Sequence, residues 1–549
     1  MNNILRKKVA MGRKVMLVLA CFLFLAGSWG QERRGEVAKQ LEILNAVVKE
    51  VEMFYVDTVE MEGMVRRGIQ AMLLGLDPYT EYLPEEDVED LQIITTGEYG
   101  GIGSVIRQRR SGEGVMIAEP YEGMPAALAG LKAGDLIVAI DTVNVLGKTS
   151  GEVSRLLKGT PNTEVTVTIR RPNEKKERKV KLVRRQILLN TVQHYDVFEH
   201  TGYIYLSNFT DKSAQEVQDA FEDMRKQGIH SLILDLRGNG GGLLESAVRI
   251  VGMFVPKGSE VISTKGKLKQ WERVYRTVAE PLDTLIPLVV LIDEHSASAS
   301  EIVAGALQDM DRALLIGNRS FGKGLVQSPR DLPHDGKLKV TTSRYYIPSG
   351  RCIQQLDYSH RNPDGTVAAI PDSLTSVFYT VGGRPVRDGG GIRPDIEVEI
   401  KEVSSMISYL VHDDIFFDFV TDWVQQHENI PPPPTFAASQ EDFEALKAYA
   451  SAHNFSYDRQ SIKALNRLKN IALAEGYLDE DSTLLVTLGE RLTPDITRDF
   501  DRFKTDVKRF LTSEIVKRYY FQRGELIDSL HDDPVLQRAL AELSKKEED

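Results

Sequence analysis

Cysteine is almost missing from this sequence: 549 residues carry two, Cys21 and Cys352. That excludes a disulfide framework. Positive charge in surplus is missing too. With 68 Lys and Arg against 80 Asp and Glu, and a formal net charge of −12, no spare cations are available to neutralise phosphates, and nucleic acid is excluded as a general partner. Two nucleotide signatures are absent as well. Lys323 is followed by Gly324 instead of the Ser or Thr of a phosphate loop, and the glycine run at 238–242 meets Leu243 where a dinucleotide fingerprint needs its third glycine. The uncharged run Val15 to Ala26 falls short of the ~20 apolar residues that span a bilayer. It follows Arg6, Lys7, Lys8, Arg13 and Lys14 and precedes Gly27-Ser28-Trp29-Gly30, which is the form of a secretory signal. We expect export to a periplasmic or extracellular space and cleavage after residue 30. Lipidation of Cys21, with membrane association, is the alternative, although the apolar Phe22-Leu23-Phe24-Leu25 beyond it suits the core of a signal better.

What is present is length for three to four domains and 42% hydrophobic residues to build their cores. The most informative stretch runs from Leu288 to Gln327. Leu288-Val289-Val290-Leu291-Ile292 is a continuous apolar run of the kind buried on both faces of a sheet, and Asp293-Glu294-His295-Ser296 ends it with turn formers. Ile302, Val303, Ala306 and Leu307 then recur at helical spacing, so Ser298 is expected where strand turns into helix. The free N–H groups and positive dipole end of a helix favour the negative charge that develops when a hydroxyl attacks a carbonyl. After a second apolar run, Ala313 to Ile316, comes Phe321-Gly322-Lys323-Gly324-Leu325-Val326-Gln327. A neutral lysine amine can activate a serine hydroxyl, and Gln327, four residues on, can hold that amine in place. Each motif alone has a plainer reading, as a helix cap or a solvated turn. His295 raises a Ser-His-Asp alternative, but it sits three residues before Ser298 on the same turn.

Ser296-Ala297-Ser298-Ala299-Ser300-Glu301 together with Phe321 to Gln327 resembles the paired active-site motifs of the carboxyl-terminal processing peptidases, or tail-specific proteases. That family carries its lysine 25 residues beyond its nucleophile, and here 323 − 298 = 25, which selects Ser298 over Ser296 and Ser300. The resemblance covers most of residues 35 to 400. It implies Ser298 as nucleophile, Lys323 as general base, Gln327 as its support, and an oxyanion hole from the backbone N–H groups of Ala299 and, from Asp235-Leu236-Arg237-Gly238-Asn239-Gly240-Gly241-Gly242, of Gly241. Gly240 stands where relatives often carry proline. Cys352, with no histidine placed beside it, is expected to be a small buried residue. No metal or cofactor is implied.

Gly100-Gly101-Ile102-Gly103, Pro125 to Leu131, Gly134 to Ile140 and Val165 to Ile169 resemble, in this order, a PDZ domain. The resemblance implies that Gly101, Ile102 and Gly103 form the nest that holds a peptide's terminal carboxylate. The expected organisation is a signal peptide at 1–30, helices at 35–96, the PDZ domain at 97–187, a serine peptidase core at 188–400 and a helical region at 401–549. The fold class is α/β: a mixed-sheet protease core with an inserted PDZ domain, itself a partly open β-barrel with helices, between helical terminal regions. Pro431 to Pro434 reads as a stiff spacer, and Phe500, Phe503, Val507 and Phe510 as an apolar stripe for core or dimer contact. The implied partners are proteins or peptides with free apolar carboxyl termini; a homodimer and an activating adaptor are compatible with the family. The rival reading is a non-catalytic PDZ scaffold or an inactive relative, against which the presence of both Ser298 and Lys323 counts.

Overall fold

The computed structural model describes residues 35–110, 112–362, 364–400, 403–457, 459–476 and 483–548. The leader and Cys21 lie outside the described residues. Contacts divide the chain into a unit ending at Tyr82 and a second running from Leu83 onward. The first contains helices over 35–54 and Met61–Leu74, as the apolar spacing predicts. Leu41, Leu44, Val47 and Met72 are exposed on them. No helix among the described residues is long and apolar enough to cross a membrane.

In the second unit a six-stranded sheet forms the centre, in the order Val192–Phe198, Thr201–Leu206, Ser231–Asp235, Leu288–Ile292, Leu314–Gly317, Ile396–Glu397. The first pair is antiparallel and every later pair parallel. Successive side chains on these strands point to opposite faces. Ile204, Leu232, Leu234, Val290, Ile292 and Leu315 pack in one core, which also takes residues of the helices Ser213–Lys226, Leu244–Gly252 and Ala299–Asp309. Tyr203, Ile233, Val289, Leu291 and Ile316 pack on the other side against Val535, Leu536, Ala539 and Leu543 of the last helix, Pro534–Glu548. Coverage of both faces is why Leu288 to Ile292 is apolar without alternation. A second sheet centres on Lys337–Tyr346, which pairs with Glu260–Gly266 and with Leu325–Asp331.

The PDZ module is a sheet ordered Ser104–Gln108, Val115–Pro120, Leu136–Ile140, Glu164–Arg170, Arg178–Val183, with the helix Ser150–Leu157 against its core. A ribbon of Glu98–Gly101 with Arg185–Leu188 brings its two ends together. The module docks on the helical region through Arg107 on Asp414 (2.5 Å) and Arg109 on Asp418 (2.9 Å), with Arg107 stacked 4.5 Å from the Phe417 ring centre. Beyond residue 403 the chain is helical. Phe500 and Val507 are buried and Phe503 and Phe510 partly buried in that region's own core. The proline run, read as a stiff spacer, is itself mostly exposed and is anchored on both sides: Ile430 before it is buried and its carbonyl accepts from the Tyr520 hydroxyl at 2.9 Å, and buried Ala438 beyond it donates its N–H to Thr512 Oγ1 at 3.0 Å.

Candidate active site

Parallel strands in an α/β sheet present their carboxyl ends to a common crevice, and three of these ends build the site. Leu288–Ile292 leads into the Ser298 turn, Ser231–Asp235 into the glycine loop, and Leu314–Gly317 into the Lys323 loop. Ser298 is the N-cap of Ala299–Asp309 with φ 56° and ψ −110°, a left-handed conformation that costs a serine on the order of 1–3 kcal/mol and is held only by its surroundings.

Three serines crowd this turn, and their hydroxyls have different fates. Ser296 Oγ donates to the Leu236 carbonyl (2.8 Å) and receives the Asp293 N–H; Ser300 Oγ donates to the Asn239 carbonyl (2.8 Å). Both residues are 0% exposed. Ser298, half-buried, lines a cavity of about 630 Å³ together with Lys323, Gln327 and Gly241. Leu243, Tyr275, Leu325 and Val326 give that cavity an apolar wall. His295 points elsewhere: its side chain is 72% exposed and its nearest carboxylate is Glu294, at 3.9 Å. Cys352 is partly buried, and burial pushes its thiol above the ordinary range, which keeps it protonated at neutral pH.

Glu301 is the residue whose weight the sequence did not disclose. Its carboxylate is fully buried and accepts from the N–H groups of Ser298 (2.8 Å), Gly322 (2.7 Å) and Lys323 (2.9 Å) and from the Ser320 hydroxyl (2.6 Å). One side chain thus ties the serine turn to the lysine loop. Burial pushes its pKa up to about 7 against the pull of those four donors. Tyr345, 1% exposed, makes a second tie: its hydroxyl lies 2.5 Å from the Lys323 carbonyl oxygen and 3.3 Å from that of Ser298. The Pro348 to Gln354 segment supports the loop from behind, with Gln354 Oε1 accepting from Gly324 N–H at 2.8 Å.

Gln327 opens a bulge in the pairing of Leu325–Asp331 with Lys337–Tyr346, and its amide donates to Thr341 Oγ1 at 3.1 Å. That contact fixes the carboxamide on the neighbouring strand, a partner the four-residue spacing from Lys323 did not suggest. The glycine loop is pinned by Asn239, whose carbonyl accepts from Ala297 N–H (3.0 Å) and whose amide donates to Leu206 O (2.7 Å). Gly241 lies against Ser298: a Cβ there would sit 2.8 Å from Ser298 Cβ and 2.9 Å from Ala299 N, and φ is +102°. Only glycine fits. Its N–H, however, donates to Asn239 Oδ1 at 2.9 Å. In this geometry Gly241 therefore provides space, and the expectation that it donates to an oxyanion is corrected to that extent. Ala299, 1% exposed at the helix start, has an N–H with no acceptor among the described residues, and that nitrogen lies 2.9 Å from where a Cβ on Gly241 would stand.

In the PDZ module Gly101 pairs with Arg185, Ile102 is 3% exposed with its carbonyl taken by Ala126 N–H (2.8 Å), and Gly103 has φ +71°. They enter Ser104–Gln108, an edge strand with one neighbour among the described residues.

Family profiles match this chain in three places: peptidase family S41 over residues 200–361, a PDZ domain over 116–171, and the C-terminal helical domain of probable PDZ-proteases over 406–543. A carboxy-terminal-processing protease of Bartonella bacilliformis is 35% identical over 373 residues, covering 67% of this chain and 84% of the relative. A chloroplastic C-terminal processing peptidase of Tetradesmus obliquus is 34% identical over 347 residues, covering 59% and 74%. Among solved structures, a photosystem II D1 C-terminal processing protease aligns with 64% of this chain and 86% of its own at 29% identity and a TM-score of 0.35. With more than four-fifths of the Bartonella relative spanned at that identity, the chain belongs to the carboxy-terminal-processing serine proteases of peptidase family S41.

Proposed function

We propose that the protein is a serine endopeptidase that cleaves unfolded or tagged proteins near their carboxyl termini through a Ser-Lys-Gln site. The observation that carries this reading is the shared cavity: Ser298, Lys323 and Gln327 come from separate turns and strands and line one space of about 630 Å³ with an apolar wall. In the forward step neutral Lys323 takes the Ser298 proton as Oγ bonds to the peptide carbonyl carbon. The oxyanion meets the Ala299 N–H, aided by the dipole of the helix that starts there. Lys323, now an ammonium, gives its proton to the leaving amine, and an acyl-enzyme forms. Water, deprotonated by the same lysine, then attacks the ester carbon; the bond to Ser298 Oγ breaks, Lys323 returns the proton to Oγ, and the new carboxyl terminus is released. Gln327 limits where the amine can swing. Glu301 and Tyr345 hold the two loops in register, so the geometry exists before substrate arrives.

The PDZ module selects the substrate in this reading. An extended tail adds to the free edge of Ser104–Gln108, and the amides at Gly101 to Gly103 take its terminal carboxylate. Export through residues 1–30 belongs to the same proposal and places the enzyme in the periplasm or outside the cell. Charge-assisted bonds to a carboxylate are each worth roughly 1.5–3 kcal/mol, and an amide replaces them only in part. One unfolded polypeptide ending in a free acid is therefore expected to be cleaved about tenfold faster than its amidated twin at subsaturating concentration. Equal rates would remove carboxylate selection from the account.

A further inference from the structure

The last helix is far from the catalytic residues in sequence, yet one of its flanking residues reaches the root of the glycine loop. Asp533 precedes Pro534–Glu548 and is 7% exposed. Its Oδ1 accepts from Val535 N–H (2.9 Å) and Leu536 N–H (3.2 Å), and its Oδ2 accepts from Arg237 Nη2 at 2.5 Å. Arg237 turns its other donors to Asp235: Nε lies 3.0 Å from both oxygens and Nη2 2.5 Å from Oδ2. Asp235, 1% exposed, also accepts from the Tyr203 hydroxyl at 2.8 Å. One guanidinium thus joins the end of a core strand to the start of the C-terminal helix, and it does so one residue before the loop turns. Gly238 N–H goes to Asp293 at 3.0 Å, and Asp293 in turn accepts from Ser296 N–H at 3.0 Å. Three residues further, a Cβ on Gly241 would stand 2.8 Å from Ser298 Cβ.

We propose that Asp533 is a positioning residue for the peptidase site: through Arg237 it fixes the starting direction of the loop 237–242, which shapes the space beside Ser298. The inference rests on the proposed role of that loop in the site. It gives the C-terminal helix two separable parts. Val535, Leu536, Ala539 and Leu543 cover a sheet face and serve stability, whereas Asp533 serves turnover. A displacement of about 1 Å at a reacting centre can cost on the order of a hundredfold, and loss of one of two carboxylates on Arg237 frees a smaller movement.

The test uses the full chain and a short fluorogenic peptide. Asp533→Asn is expected to lower kcat about tenfold or more with KM within about twofold, and with a fall in melting temperature no larger than that of Leu543→Ala, and Asp533→Glu to recover most of kcat. Leu543→Ala is the counterpart, expected to lower the melting temperature with kcat at 25 °C unchanged. Asp533→Asn with wild-type kcat overturns the proposal. So does a loss in Asp533→Asn that tracks its melting temperature and is matched by Leu543→Ala at equal destabilisation. Ser298→Ala in the same assay separates failures: if it stays active, the site assignment falls, whereas an inactive Ser298→Ala beside a fully active Asp533→Asn removes only the role of Asp533.

Discussion

Lys323→Arg is expected to lower turnover by about a thousandfold or more while circular dichroism stays native. The substitution keeps the positive charge and a long side chain. The main-chain ties at this position survive, because Glu301 receives the residue's N–H and Tyr345 reaches its carbonyl. What disappears is the neutral form: a guanidinium does not lose its proton in a protein, so it cannot accept one from Ser298. A positioned base contributes about 10²–10⁴ to such a reaction, and the same group must act in both acylation and deacylation. The comparison is kcat for the two proteins on an unfolded substrate at neutral pH. Turnover within tenfold of wild type would show that position 323 stabilises charge and does not move a proton.

The second large effect concerns Glu301. Glu301→Gln preserves shape but puts an NH₂ where a carboxylate oxygen now faces N–H or O–H donors, so donors oppose donors in a fully buried place. A lost charge-assisted bond costs roughly 1.5–3 kcal/mol, and the strained φ of Ser298 loses its counterpart. Turnover is expected to fall by about a hundredfold or more, mostly in kcat. The pH dependence has a definite sign. An ordinary glutamate near 4.5 is raised here to about 7, so between those values the folded protein keeps a proton that the unfolded chain has released. Stability from this group is complete below about 4.5 and is lost as pH rises through 7, by roughly 3 kcal/mol in all. The ionised form is the one that accepts all four donors, so organisation of the site is gained over the window in which stability is spent. Glu301→Gln should flatten this part of the stability curve. Denaturant midpoints from pH 4 to 8 supply the check; a variant with the wild-type slope or wild-type turnover would contradict the assignment.

Sequence reading went furthest where one local pattern had one physical cause. Leu288 to Ile292, Tyr203 to Leu206 and Ser231 to Leu236 are apolar without alternation because helices cover both faces of their sheet, and that pattern needs no knowledge of which helices. The helix Pro534–Glu548 falls within the helical region expected at 401–549, but its role as the cover of a sheet face was not legible, because its stripe says that it packs and nothing local says on what. Ser298 and Lys323 were legible as a pair because the family resemblance supplies the 25-residue spacing, and the structure puts both on one cavity. Glu301 was in plain view at the N3 position of a capping box, but its burial and its reach across to Gly322 and Lys323 are tertiary facts. The resemblance named Gly241 as an oxyanion donor; the structure sets it against Ser298, and the direction of its N–H depends on Asn239, a residue with no periodic signal of its own. The helix Leu244–Gly252, short and mostly buried, gave too little polar contrast to stand out between the glycine loop and the next strand.

The central claim is that Ser298, alone among the serines of its turn, is a nucleophile activated by Lys323. The most direct measurement is labelling of the native protein with a serine-reactive phosphonate, followed by mass spectrometry of the digested product. The account predicts one adduct, on the peptide spanning the turn and localised to Ser298, absent from Ser298→Ala and slow to form in Lys323→Arg. An adduct on Ser296 or Ser300, or efficient cleavage of substrate by Ser298→Ala, would contradict it.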